Sequence, residues 1–170
     1  MKKVVRQGEV TGEVFTRPEV VAYMLDGVRH CGKFRSLLRS PKILIPDIQL
    51  GGNVALDESG SYYPHHNVYW ITSTKWNLKA LCALLRSSFV TSQIRNVSVQ
   101  MRGGSIRYQA QNLRNVHIPA WSSLSEGDVE KLVGAYESND TGHLDAVVDA
   151  VVRDSCSRQP VRRYQADLFG

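Results

Sequence analysis

The spacing of apolar residues predicts a mixture of helices and short strands. Helical periodicity is clear over residues 14–29 and 77–90, continues in a short second helix after a break at Ser87-Ser88, and returns in two helices after residue 125. A turn at 139–142 separates the last two, so they are expected to form an antiparallel pair. Side chains that cap helix starts support these positions: Thr16 with Glu19, Asn77, and Ser125 with Asp128.

Runs rich in β-branched residues follow the first helix and return after residue 100. Pro46 indicates that the first run lies at a sheet edge or ends there. Gly60 lies in a turn that is expected to join two strands. The predicted strands are 42–48, two strands within 53–64, 67–73, the end of 101–109 and the end of 112–119.

These elements together predict an α+β fold. We expect a small antiparallel sheet with packed helices, followed by a C-terminal helical hairpin. A chain of 170 residues fits one domain with short appendages. The expected parts are an N-terminal helical segment, a connector, a sheet-containing domain, the hairpin and a tail, at residues 1–29, 30–41, 42–121, 122–156 and 157–170.

Charge is distributed unevenly along the chain. Residues 1–40 and 41–121 each hold eight basic residues, against four and three acidic ones, whereas residues 122–170 hold five against nine. A basic surface attracts polyanions, nucleic acid first, and an ordinary solvated surface is an equal alternative. Three widely spaced cysteines argue against a disulfide framework. No apolar run is long enough to span a membrane, so a cytoplasmic protein is expected.

Recognisable catalytic and metal-binding motifs are absent from the sequence. It holds no glycine-rich phosphate loop, no nucleophile elbow and no cluster of carboxylates suited to a nuclease. His65 and His66 are adjacent and would point to opposite faces of a strand, so a polar loop explains them better than a shared ion. The sequence therefore predicts no metal site.

Residues 95–114 carry the strongest functional signal. Arginines alternate there with glutamine and asparagine, the residue types that bind guanine and adenine edges with two hydrogen bonds. Gly103 and Gly104 would let the backbone approach a phosphate or a partner closely. A tight hairpin with solvated arginines explains the same residues equally well.

Four blocks of sequence resemble the C-terminal specificity domain of TaqI-like adenine-specific DNA methyltransferases. The order and spacing of these blocks over residues 42–119 match the family; they are PKILIPDI, ALDESGSYYPHHNVYWI, LKALCALLRSSFV and MRGGSIRYQAQNLRNVHIP. The resemblance implies a module of a restriction–modification system that grips double-stranded DNA and reads its sequence, while a separate domain transfers the methyl group.

Residues 12–26, GEVFTRPEVVAYMLD, resemble the segment that opens the catalytic domain in the same family. A T-x-P before a helix lies there beside the S-adenosylmethionine pocket, and Thr16 and Pro18 match it. The glycine-rich cofactor loop and the Asn-Pro-Pro-aromatic motif, which holds the flipped adenine, do not follow. We therefore expect no methyltransferase activity and no cofactor, with Thr16 and Pro18 as vestiges and residues 30–41 in place of the catalytic core.

Charge and position within the chain suggest a set of DNA-contacting residues. Those within 101–114 are expected at a groove or the backbone, Lys75 and Arg95 at phosphates, and the histidine pair at the end of a hairpin near a groove. The complete set is Arg102, Gly103, Gly104, Arg107, Gln109, Arg114, Lys75, Arg95, His65 and His66.

Two other functions fit the same sequence. The acidic hairpin suggests a docking surface for a methyltransferase or restriction subunit, with the chain acting as an interaction or decoy subunit. The other is a non-functional remnant of a deleted gene. In a chain without its catalytic domain, an apolar stripe would be exposed, which predicts a homodimer; the stripe is Val21, Met24, Leu25 and Val28.

Overall fold

The computed structural model describes residues 39–64 and 67–158. The predicted N-terminal segment 1–29, most of the connector 30–41, and the chain beyond residue 158 lie outside the described residues. The same is true of Thr16, Pro18 and the apolar stripe that predicts a homodimer, so these remain predictions.

Two small antiparallel sheets form the centre of the described structure. Strands β1 (Lys42–Pro46), β3 (Ala55–Asp57) and β4 (Val68–Ile71) form one sheet in the order β3-β1-β4. Ile43 on the central strand β1 pairs with Leu56 on β3 and with Ile71 on β4. Strands β2 (Ile48–Gln49) and β5 (Ile106–Arg107) form the second sheet, in which Ile48 pairs with Arg107.

The hairpin predicted within 53–64 is not formed. Its first strand is β3, but only Tyr63 has a bridge in the second half, and β3 and β4 instead flank β1. After β3, the Asp57 carboxylate accepts hydrogen bonds from the backbone amides of Ser61 at 3.2 Å and Tyr62 at 3.0 Å, which stabilise a turn at this point of the chain. β1 is central in the sheet, and Pro46 marks its end rather than a sheet edge.

Within residues 39–64 and 67–158, five helices follow or separate the strands. They are α1 (Leu78–Arg86), α2 (Ser88–Val97), α3 (Ala110–Leu113), α4 (Glu126–Ser138) and α5 (Thr141–Arg158). Asn77 caps α1 by accepting from the amides of Lys79 and Ala80, and Ser87 separates α1 from α2 and caps the latter. Ser125 and Asp128 form the predicted capping box at the start of α4.

The strand predicted at the end of 112–119 is wrong. Residues 110–113 are helical, and residues 116–120 form neither a strand nor a helix. The side chain of Gln93 on α2 takes the place of a neighbouring strand. Its oxygen accepts from the His117 amide at 2.8 Å, and its amide nitrogen donates to the His117 carbonyl at 3.0 Å. The amide and carbonyl of His117 are thereby satisfied without a sheet.

Two apolar clusters meet at α1. Leu81, Cys82 and Leu85 pack against the sheet, with Ile43 and Ile71. Ala80, Ala83 and Leu84 pack against the hairpin of α4 and α5, in a cluster that also includes Leu132, Ala135, Leu144 and Val148. The predicted α+β class, with a small antiparallel sheet, packed helices and a helical hairpin, is confirmed. None of the described helices is long and apolar enough to cross a membrane.

Candidate nucleic-acid interface

The loop between α2 and β5 is a compact exposed turn. Arg102–Gly104 form a single 3-10 turn, closed by hydrogen bonds from the Met101 amide to the Ser105 carbonyl at 2.9 Å and from the Gly104 amide to the Met101 carbonyl at 3.1 Å. Gly103 and Gly104 have φ of +83° and +77°, and a Cβ at either would meet no atom within 4 Å. The glycines are thus required by the left-handed backbone, and the space outside the loop is open.

The short strand β5 is held on both sides, which fixes the backbone of Arg107. Besides its pairing with Ile48, its amide donates to Ser98 Oγ at 2.9 Å, and its carbonyl accepts from Ser98 Oγ at 3.1 Å and from Asn112 Nδ2 at 3.0 Å. Asn112 is buried. The sequence predicted β5 but not these side-chain contacts, which join α2, β5 and α3.

Tyr108 anchors the next position of the chain in the core. Its amide donates to the Asp47 carbonyl at 2.6 Å, and its hydroxyl lies 3.1 Å from Thr91 Oγ1 and 3.4 Å from the Gly52 amide. Burial raises the pKa of Tyr108 and outweighs the hydrogen bonds that lower it, so the hydroxyl is neutral and bonds as a phenol. The ring therefore fixes β5 against α2 and the loop that follows β2.

Arg107 forms an ion pair with Asp47, which lies between β1 and β2. Arg107 Nη2 bonds to Asp47 Oδ2. The Arg107 side chain is 40% exposed, whereas that of Asp47 is 9% exposed. The hydrogen bond and the charge of Asp47 raise the pKa of Arg107. The pair thus combines an arginine at the surface with a carboxylate held beneath it.

The ion pair leaves two complementary polar atoms unused. Within the described part of the chain, Asp47 Oδ1 and Arg107 Nε are buried and have no hydrogen-bond partner. Nε and Nη2 form one edge of a guanidinium, and a carboxylate can bond both. A hydrogen bond from Nε to Oδ1 would complete a two-bond pair between the same two groups.

The other predicted contact residues are distributed unevenly. Arg102 and Arg95 are exposed, and Arg95 Nη2 donates to the carbonyl of Leu50, directly after β2, at 3.4 Å. Arg114 and Gln109 flank α3. Lys75 is exposed and follows β4, whose last residue pairs near the start of β1. Asp47 lies after the opposite end of β1, so the structure does not bring Lys75 together with Arg107. His65 and His66 lie outside the described residues.

Sequence reasoning missed an apolar component of this surface. In the described part of the chain, the large apolar side chains that are exposed lie on β2 or directly after it, at the end of α2 and in the loop after α2: Ile48 at 50%, Leu50 at 63%, Val97 at 57%, Val99 at 81% and Met101 at 42%. The alternation of Val97, Val99 and Met101 before the glycine pair was the available signal. We call these five residues and Arg95, Arg102 and Arg107 the β2–β5 face.

The described residues hold no metal-binding cluster. Across 39–64 and 67–158, no three histidine, cysteine, aspartate or glutamate side chains are grouped to hold a metal ion. Cys82 and Cys156 are free thiols, one buried and one exposed. The exposed side of the hairpin carries acidic residues, among them Glu130 and Asp149.

Comparison with known proteins places part of the chain beside three Type II methyltransferases. It is 41% identical over 91 residues to M.XhoI of Xanthomonas vasicola, 36% over 115 residues to M.BstVI of Geobacillus stearothermophilus and 40% over 111 residues to M.PaeR7I of Pseudomonas aeruginosa. The matches cover 54–68% of this chain but only 16–20% of each relative. No protein-family model matches the chain.

These relatives confirm the methyltransferase resemblance and correct one prediction made from it. The expectation that the chain is not an enzyme is wrong, because its relatives are methyltransferases and it spans a fifth of their length or less. Motifs that 170 residues lack can lie in the other four fifths of such a protein. Their absence here therefore decides nothing about catalysis.

Proposed function

We propose that this chain, which is related to part of several Type II methyltransferases of restriction–modification systems, binds duplex DNA and reads its sequence through the β2–β5 face. The observation that carries the proposal is the composition of residues 95–114, which hold four arginines and no aspartate or glutamate. Three of these arginines, Arg95, Arg102 and Arg114, are exposed, and Arg107 is partly exposed. An anionic partner fits this surface.

Phosphates would supply most of the affinity. Arginines at the surface replace the counterions condensed on a duplex, so each phosphate contact makes binding more sensitive to salt. Arg95 and Arg102 are suited to this role because their side chains reach solvent from α2 and from the 3-10 turn. The glycines beside Arg102 leave room for a phosphate to approach the backbone.

The apolar side chains would supply contacts to bases and sugars. Val99 and Met101 project beside Arg102 at a place where the loop has open space around it, and side chains of this kind contact thymine methyl groups or insert at base steps in known recognition modes. An apolar surface rimmed by arginines also distinguishes this face from the hairpin, whose acidic side would repel phosphates.

A second candidate function is favoured by the same exposed residues. Leu50 and Val97 are apolar and more than half exposed, which is typical of a surface that another protein covers. The partner would be a further part of a methyltransferase or a restriction subunit. In that case, the β2–β5 face would bind protein, and DNA contact would require the assembled enzyme.

Selection from a randomised duplex pool, followed by a salt titration, tests the proposal on the full chain. We expect one short motif to be enriched and log affinity to fall with log salt by about 0.9 per phosphate contact. Arg102→Ala should reduce that slope by about one contact and leave the motif unchanged. Lys131→Ala, an equal change of charge on α4 in the hairpin, should leave both unchanged.

Two results separate the candidates. Salt-sensitive binding without an enriched motif would refute sequence reading by this chain alone. No binding at low salt would refute the DNA proposal. Co-purification of a methyltransferase subunit that is lost in Leu50→Ser would favour the protein partner.

A further inference from the structure

The pairing of Arg107 with Asp47 suggests that Arg107 has a different role from the other arginines of the β2–β5 face. Arg107 is the arginine of this face whose backbone is fixed by three hydrogen bonds and whose side chain is held by a carboxylate. Such fixation is unnecessary for a phosphate contact, which a mobile charge can make. It is useful for a contact that must distinguish one base from another.

The two hydrogen-bonding edges of the Arg107 guanidinium differ in what they can contact. The edge formed by Nε and Nη2 is turned to Asp47, since Nη2 is bonded there and Nε is buried. The other edge, formed by the two terminal nitrogens, is the end of a side chain that is 40% exposed. An edge with two parallel donors matches the O6 and N7 acceptors of guanine in the major groove.

We propose that Asp47 is a positioning residue, which holds the Nε–Nη2 edge of Arg107 so that the terminal edge reads a guanine. This inference rests on the proposed function, because it names the base-reading residue of the same face. Asp47 is suited to the role: its amide donates to the Asn67 carbonyl at 2.8 Å, and its carbonyl accepts from Tyr108, so its backbone is fixed as well. Its unpaired Oδ1 is available to bond Nε when DNA orders the guanidinium.

A purely structural ion pair makes a different prediction. If Asp47 only stabilised the sheet, its replacement would weaken all base preferences together or none. If Asp47 only repelled phosphates, its neutralisation would tighten binding to every duplex alike. A positioning role predicts that preference falls at one base pair and survives at the others.

The experiment repeats the duplex selection with Asp47→Asn and with Arg107→Lys, using the full chain. Both variants should lose preference for guanine at the same base pair by about tenfold, within the 5- to 150-fold range of a two-bond base contact, and keep the remaining preferences within about twofold. Arg107→Lys retains a charge beside Asp47 but lacks the planar fork. It therefore tests the proposal even if Asp47→Asn fails to fold.

Arg102→Lys is the matched control, because it makes the same substitution at an arginine proposed to contact phosphate. It should leave the motif intact. A complete motif in Arg107→Lys, or in a folded Asp47→Asn, would overturn the inference while the DNA-binding function stood. A wild-type chain that binds no duplex would overturn the proposed function and this inference with it.

Discussion

The ammonium group of Lys42 lies 2.8 Å from Oδ2 of Asp57, and both side chains are enclosed, at 0% and 1% exposure. The pair lies where the first residue of β1 meets the last residue of β3 in the register. Asp57 also accepts from Ser59 Oγ at 2.9 Å, so the ion pair and the turn after β3 share one carboxylate. Removing one partner of such a buried ion pair leaves an uncompensated charge inside the protein, which strongly lowers the free energy of unfolding.

Replacement of Asp57 by asparagine should destabilise the fold strongly. The change leaves the Lys42 ammonium without its counter-charge inside the protein, and we expect the free energy of unfolding to fall by about 3–5 kcal/mol. Urea denaturation measures it. Glu58→Gln, at the exposed neighbouring position, should change the value by less than about 0.5 kcal/mol. Equal losses in the two variants would show that the buried pair contributes nothing special.

Stability should also depend on pH through Asp57. Burial raises the pKa of this carboxyl, but the hydrogen bonds from Lys42, the Tyr62 amide and Ser59 outweigh it, so the pKa is lowered from its ordinary value of 3.8. The stabilisation is therefore complete above the unfolded value and is lost as pH falls from about 3.8 through the lower folded value. Urea midpoints measured from pH 7 down to pH 2 should fall more steeply in the wild type than in Asp57→Asn.

The Gln93 side chain should stabilise the backbone at His117, in the segment after α3. Gln93→Ala removes both hydrogen bonds to His117, and we expect a loss of about 1–2 kcal/mol together with faster exchange of the His117 amide proton. Gln93→Glu keeps an acceptor for that amide but cannot donate to the His117 carbonyl at neutral pH. It should fall between the wild type and Gln93→Ala. An unchanged exchange rate in Gln93→Ala would contradict this account.

The two described cysteines should differ in reactivity. Burial raises the pKa of Cys82 to about 12, so almost none of it is thiolate at pH 8, and its Sγ faces the Val54 carbonyl. Cys156 is exposed on α5. Alkylation mapped by mass spectrometry should label Cys156 readily in the native protein and Cys82 only after urea is added. Rapid native labelling of Cys82 would indicate that the core opens locally.

Helix caps could be predicted from the sequence, whereas strand pairings could not. Asn77 and Ser125 could be identified as caps because a cap is decided by the residue itself and by amides two or three positions away. The order β3-β1-β4 brings Asp57 to Lys42, which is 15 residues earlier in the chain. No periodicity encodes such a contact.

The candidate site shows the same division. The arginines and the glycine turn of the β2–β5 face could be selected from composition, since both are local properties. The pairing of Arg107 with Asp47 joins residues 60 positions apart, and the exposure of Val99 depends on how the loop folds. Lys75 was grouped with the others by charge alone, and charge does not specify which end of a sheet a loop occupies.

Helix α1 contributes side chains to both apolar clusters, so the sheet and the hairpin each depend on it during unfolding. Removing the hairpin would uncover Ala83 and Leu84, and removing the sheet would uncover Leu81 and Leu85. Neither layer retains a closed interior by itself. The acidic hairpin and the β2–β5 face should therefore unfold in one cooperative transition. Mutations that destabilise one of them should also speed amide hydrogen exchange in the other.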